Sequence, residues 1–165
     1  MPTILVTGSS RGIGSAIADA LRARGARVIG HATYAWDDDT VAADLTEPSA
    51  PQRLWQQALE LAGGTLDAVV NNAGIFAANP LDSSDIAWLD GWEDTLRINL
   101  TAAAQLSRFA VRHWLETGTE GRLVHIASRA GHSGDSPERA AWVGGLAHSS
   151  AAPRSASPPP SRPAP

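Results

Sequence analysis

The chain of 165 residues contains no lysine and no cysteine, and its one tyrosine is Tyr34. Without cysteine there is no disulfide and no thiolate chemistry, and redox state does not fix a compartment. Without lysine the G-x-x-x-x-G-K-S/T phosphate loop is excluded. No apolar run approaches the roughly 20 residues that span a bilayer. No charged-then-apolar segment opens the chain, since Met1-Pro2-Thr3 leads straight into a strand pattern, so the expected location is the cytoplasm. The net charge of −4 argues against a nucleic-acid surface. Thirteen arginines with no lysine, together with abundant Ala, Gly and Pro, point to a gene rich in G and C.

The length suits one domain with a tail. Strand and helix patterns alternate along it. Strands are expected over 3–7, 26–32, 40–43, 66–70 and 122–127. Helices are expected over 12–24 and 51–62, with a long helix inside 92–116. Gly25 closes the first helix; Pro51 opens the second and Gly63-Gly64 ends it. In the long helix the apolar positions read are Leu96, Leu100, Ala103 and Ala104, then Ala110, Val111 and Leu115. Such alternation predicts an α/β fold with a doubly wound parallel sheet and right-handed crossovers, its ligands at the carboxyl ends of the strands. The expected domain runs over 1–146. From 147 to 165 the chain is rich in Ala, Ser, Pro and Arg, with no Leu, Ile, Val or aromatic residue after Ala147, and is expected to be disordered. Pro158-Pro159-Pro160 would also suit a polyproline II ligand.

The most informative segment is Thr7-Gly8-Ser9-Ser10-Arg11-Gly12-Ile13-Gly14, between the first strand and the first helix. A helix start carries unpaired N–H groups and the positive end of the helix dipole, which stabilise an anion. Gly8 allows the sharp turn out of the strand, Gly12 a close approach of backbone to a pyrophosphate, and Gly14 close packing of helix on sheet. The helix then reads Ile13, Ile17, Ala20, Leu21 along one face. An ordinary glycine-rich βα loop has the same spacing, and the flanking strand and helix favour the phosphate site. Asp37-Asp38-Asp39 reads as a solvated turn, with a metal site as the alternative.

Together these residues resemble the short-chain dehydrogenase/reductase family. Its T-G-x-x-x-G-x-G is matched by Thr7, Gly8, Gly12 and Gly14, and its N-N-A-G by Asn71-Asn72-Ala73-Gly74. Its acidic residue after the third strand is matched by Asp44, its helix asparagine by Asn99 and its serine after the fifth strand by Ser128. The resemblance covers about residues 3 to 141. It implies a nicotinamide dinucleotide held by Gly8, Ser10, Arg11, Gly12, Ile13, Gly14, His31, Thr33, Asp44, Leu45, Asn71, Ala73 and Gly74. It implies catalytic roles for Ser128, polarising a carbonyl, and for Asn99, holding a water in a proton relay. The partner would be a small carbonyl or alcohol substrate, and relatives often pair through the long helix.

The second strand ends Gly30-His31-Ala32-Thr33 with no acidic residue to repel a 2′-phosphate, and Arg11 lies in the glycine loop. This favours NADP(H) over NAD(H). The family's tyrosine and lysine do not appear: Trp142 and Leu146 occupy their expected places. An indole N–H does not titrate in the useful range. The reading is therefore a reductase with an impaired active site, and a frameshift or truncation before the Tyr-x-x-x-Lys motif accounts for the change in composition; a genuinely diverged short protein is the competing account. The alternatives in function are a non-catalytic NADP(H)-binding module or partner of a full-length reductase, and an interaction protein using the proline-rich tail. An uncovered fifth strand would bring association or poor solubility.

Overall fold

The computed structural model describes residues 1–128. Trp142, Leu146 and the 147–165 tail lie outside them. The described residues form five strands: β1 (Thr3–Val6), β2 (Arg27–Ala32), β3 (Thr40–Ala42), β4 (Ala68–Asn71) and β5 (Arg122–His125). The helices are α1 (Gly12–Ala23), α2 (Ala50–Leu61), α3 (Asp85–Leu96) and α4 (Ala102–Thr117), with one π-helical turn, Arg97–Thr101, joining the last two. Every strand pair is parallel and the order is β3-β2-β1-β4-β5. The expected doubly wound sheet is present, and strand ends differ from the sequence reading by one or two residues.

Alternation along the strands builds the layers. Leu5, Ile29 and Val69 point to one face and meet Leu54, Trp55 and Ala58 of α2 and Leu106, Ala110 and Trp114 of α4. Ile4, Val6, Val28 and Val70 point to the other face and meet Ala18 of α1, with Ile17 and Leu21 packed at its edge. This is the period of two that a pleated strand imposes. α2 begins with Pro51 in its first turn, where its missing N–H costs nothing, and buries Leu54 and Trp55. Among the described residues no helix is long and apolar enough to cross a membrane.

Three expectations for the helices change. The helical segment starts at Asp85, capped by the Ser84 hydroxyl accepting from the Ala87 N–H at 3.3 Å, well before residue 92. The core face of α4 is Ala102, Leu106, Ala110 and Trp114, whereas Val111 and Leu115 are exposed, Leu115 at 78%. In α1 the first residue of the apolar stripe, Ile13, is 64% exposed.

β1 pairs with both β2 and β4, so the chain winds outward from it in two directions. The crevice at that switch point opens at the carboxyl ends of the strands, where loops leave on opposite sides.

Candidate functional site

Between β1 and α1 the backbone turns through Gly8 (φ +65°) and Gly12 (φ +58°). A Cβ on Gly8 would lie 2.8 Å from the Ala73 Cα, and one on Gly14 would lie 2.1 Å from the Gly8 carbonyl oxygen. The loop is thus wedged between the start of α1 and the segment after β4. Around Gly12 there is nothing within 4 Å of an added Cβ, so that face of the loop is open. The α1 N-cap, Arg11, makes no side-chain capping bond, and the first turn holds no acidic residue. The N-terminal amides of α1 therefore keep their positive potential, unlike α3, which has Ser84 and Asp85 at its start.

Asn72 clamps the loop. Its Nδ2 donates to the carbonyls of Thr7 at 2.9 Å and Gly8 at 3.1 Å. The buried Thr7 hydroxyl answers by accepting from the Asn72 and Ala73 amides, both at 2.9 Å. His31 holds the loop from behind: its Nδ1 accepts from the Gly8 N–H at 3.2 Å and its Nε2 meets the Ala43 carbonyl at 3.1 Å. Burial pushes this imidazole below its ordinary range, more than the Ala43 bond raises it, so it is neutral at pH 7. Asp44 is exposed and its carboxyl sits below the usual carboxylate range, because the Thr46 hydroxyl (2.7 Å) and then the Thr46 amide (3.0 Å) donate to it.

All the residues expected from the sequence gather in two adjoining clefts. One, of about 440 Å³, is lined by Gly8, Ser10, Arg11, Gly12, Ile13, Gly14, His31, Thr33, Asp44 and Leu45. The other, of about 320 Å³, is lined by Asn71, Asn99 and Ser128. Ile13, Ala73 and Gly74 line both. Asn71 donates to the Ser107 hydroxyl at 3.1 Å, tying β4 to α4. Its Oδ1, and Nδ1 of His125 across the β4–β5 register, are buried without a hydrogen-bond partner among the described residues. Tyr34 is exposed beyond β2. In the acidic turn Asp39 pairs with Arg27 at 2.7 Å and Asp37 accepts from the Thr40 hydroxyl.

The Asn99 side chain is tied into the scaffold. It is buried in the π-helical turn, where its Oδ1 accepts from the Ile75 N–H at 2.8 Å and its Nδ2 donates to the Ile75 carbonyl at 3.0 Å. The amide pairs with backbone as a neighbouring strand would, and fixes the segment that separates the two clefts. Both ends of the amide are thus used within the scaffold.

The model of the short chain dehydrogenase family matches residues 2–140. The chain belongs to that family. It is similar to 3-oxoacyl-[acyl-carrier-protein] reductase FabG of Vibrio cholerae, 35% identical over 142 residues, covering 79% of this chain and 56% of the relative. It is also similar to a short chain dehydrogenase, ausX, of Emericella nidulans, 32% identical, covering 81% of this chain and 71% of that one. Among solved structures it resembles a 4-hydroxyisoleucine dehydrogenase complexed with NADH (TM-score 0.76, 28% identity, 90% of this chain and 64% of that one). The ligand-free aldohexose dehydrogenase of Thermoplasma acidophilum follows (TM-score 0.74, 25% identity, 89% of this chain and 56% of that one). The chain spans little more than half the length of the FabG relatives it matches.

Sequence reading missed Asn72 as a clamp and His125 as a wall of the second cleft. For Asn72 the signal was available in the Asn-Asn pair after β4. For His125 the signal was its place on a strand that ends at the site.

Proposed function

We propose that this chain is the dinucleotide-binding part of a nicotinamide-dependent oxidoreductase, with a preference for NADP(H), and that the chain as it stands binds without turnover. The observation that carries the first claim is the glycine loop: Gly14 sealed against Gly8, Gly12 open, and the α1 N-terminus left uncapped toward the larger cleft. That arrangement suits a pyrophosphate, whose charge the open amides would meet. Asn72, Thr7 and His31 hold those amides in place. The exposed Arg11 would give charge-assisted hydrogen bonds to a 2′-phosphate, and β2 offers no carboxylate at its end to oppose one.

When bound, a nicotinamide supplies the hydride exchanged with a carbonyl or alcohol carbon. Ser128, half-buried in the wall of the smaller cleft, would donate to the carbonyl oxygen and stabilise charge there. A proton donor is still required, and with no lysine in the sequence a tyrosine would lack the cation that lowers its pKa from about 10. A relay through Asn99 would have to use its backbone, because its side chain is committed to Ile75. The same observations favour a second reading, a non-catalytic NADP(H)-binding module that pairs with a complete reductase. Loss of the general acid alone typically costs 10²–10⁴-fold in rate.

The test is a titration of the whole chain with NADPH and with NADH, followed by nicotinamide fluorescence, together with an assay of NADPH oxidation. The names of the relatives point to 3-oxoacyl thioesters as the first substrates to offer. NADPH is expected to bind more tightly than NADH, with no measurable oxidation. Arg11→Ala should weaken NADPH by about 10–100-fold, the worth of hydrogen bonds to a charged group, and leave NADH nearly unchanged. Turnover of any carbonyl would overturn the impaired-site claim. Absence of binding to both dinucleotides would overturn the nucleotide-site claim.

A further inference from the structure

His31 lines the larger cleft, yet both of its ring nitrogens face protein. Nδ1 accepts from the Gly8 amide, so it carries no hydrogen; Nε2 then carries the hydrogen and donates to the Ala43 carbonyl. The backbone of the same residue is locked as well: its N–H donates to the Ser9 hydroxyl at 3.0 Å, and its carbonyl accepts from the Ser9 amide at 2.9 Å. One buried side chain thus connects the exit of β1, the end of β2 and the exit of β3. Gly8 has little room to shift toward the β4 side, since a Cβ there would already lie 2.8 Å from the Ala73 Cα.

Building on the dinucleotide-binding reading above, we propose that neutral His31 is a positioning residue for the glycine loop, and that protonating it releases Gly8 and weakens dinucleotide binding. In the imidazolium both nitrogens carry hydrogen. Nδ1–H would then oppose the Gly8 N–H, and the contact is relieved only if the loop moves or the ring swings out of its pocket. The charged groups on the surrounding elements are Arg11 in the loop, Arg27 on β2, Asp37, Asp38 and Asp39 in the turn before β3, and Asp44 after it. None of them is bonded to the ring: Arg27 pairs with Asp39, Asp37 accepts from Thr40, and Asp44 accepts from Thr46. Among the described residues no carboxylate is bonded to the ring to stabilise the cation.

The sign follows from linkage. Burial holds the native pKa of His31 below its ordinary value of about 6.5. Stability from this clasp is complete above about pH 6.5, where native and unfolded chains both carry neutral histidine. It falls as pH drops from there toward the lower native pKa, where the unfolded chain binds the proton first. Dinucleotide affinity is flat at high pH and falls once the nucleotide-free native chain begins to take up the proton. The limit is about tenfold per pH unit for one linked proton.

The probe is NADH, because a phosphate monoester such as the 2′-phosphate of NADPH titrates near pH 6 itself. Its affinity for the whole chain would be measured from pH 8.5 downward, for the native sequence and for His31→Gln, whose amide offers one acceptor and one donor but does not titrate. The Gly8 amide would be followed by ¹H–¹⁵N NMR in the nucleotide-free chain over the same range. Expected are a falling affinity at low pH in the native chain, a flat profile in His31→Gln, and a Gly8 resonance that moves with the His31 ring. An identical slope in both chains, or a Gly8 amide indifferent to His31 protonation, would overturn the proposal. If His31→Gln does not fold, the Gly8 titration of the native chain decides alone. If neither NADH nor NADPH binds even at pH 8.5 the dinucleotide reading fails, while the Gly8 titration still tests whether His31 sets the loop.

Discussion

Gly14→Ala should leave the chain without a cooperative unfolding transition, whereas Gly12→Ala should keep one. The two glycines lie two residues apart in one loop, and an alanine methyl meets entirely different surroundings at each. At Gly14 it would stand 2.1 Å from the Gly8 carbonyl oxygen and 2.4 Å from Nδ2 of Asn72. The first is backbone, and the second is fixed by donating to the Thr7 and Gly8 carbonyls. Neither can step aside, so α1 must lift off the sheet, pulling Ala18 out of its contacts with Val6, Val28 and Val70. Ordinary overpacking costs about 1–3 kcal/mol, and a clash against backbone belongs at or above the top of that range. A domain whose whole stability is about 5–15 kcal/mol has little margin. At Gly12 the methyl meets nothing within 4 Å, and the penalty is that of a left-handed φ of +58°, about 1–2 kcal/mol. Urea unfolding followed by tryptophan fluorescence separates the two; equal stability of the variants would refute the assignment of Gly14 to packing. Gly12→Ala should instead weaken dinucleotide binding, because its methyl occupies the open face assigned to the pyrophosphate.

The parts of this site that were legible in the sequence are those with short-range causes. Three glycines between a strand and a helix, an Asn-Asn-Ala-Gly turn and a serine after β5 each announce themselves within a few residues, and the parallel sheet brings them to one end. The clasp of His31 on Gly8 and Ala43 was not legible. It joins residues 23 and 12 positions apart, and a histidine in a strand gives no sign of which way its nitrogens will find partners. The Asn99 pairing with Ile75 spans 24 positions and was hidden for the same reason.

The inward face of the α3–α4 segment failed for a different cause. From Thr95 through Asn99, Ala102, Leu106 and Ala110 to Trp114 it takes 19 residues to make five turns, where a plain α-helix takes about 18. The extra residue is accommodated in the π-helical turn. The first two inward residues are polar and two of the others are alanines, so apolar periodicity points to the wrong stripe and promotes Val111 and Leu115. π turns recur at functional sites, and here the turn aims Asn99 at the segment between the two clefts.

Trp114→Ala should cost about 3–5 kcal/mol, the usual range for truncating a buried tryptophan, with a further loss from the hydrogen bond it removes. Trp114 is buried in the cluster under α2 and α4, and its Nε1 donates to the carbonyl of the fully buried Leu66 at 2.7 Å, across 48 residues. That bond fixes the approach to β4, whose far end carries Asn71 and Asn72 and through them the glycine loop. Gly121 seals the other side, where a Cβ would fall 1.9 Å from the indole, so the ring has no alternative seat. Trp114→Phe retains most of the apolar contact and loses the donor, leaving the Leu66 carbonyl without that partner, at about 1–3 kcal/mol. If the anchor works as described, both variants should lower the denaturation midpoint in that order, and the destabilised chains should lose dinucleotide affinity only in proportion to the fraction unfolded. A Trp114→Ala chain as stable as the native one would remove α4 from the support of β4. A fully folded variant with weakened binding would mean instead that the helix position itself is transmitted through β4 to the cleft.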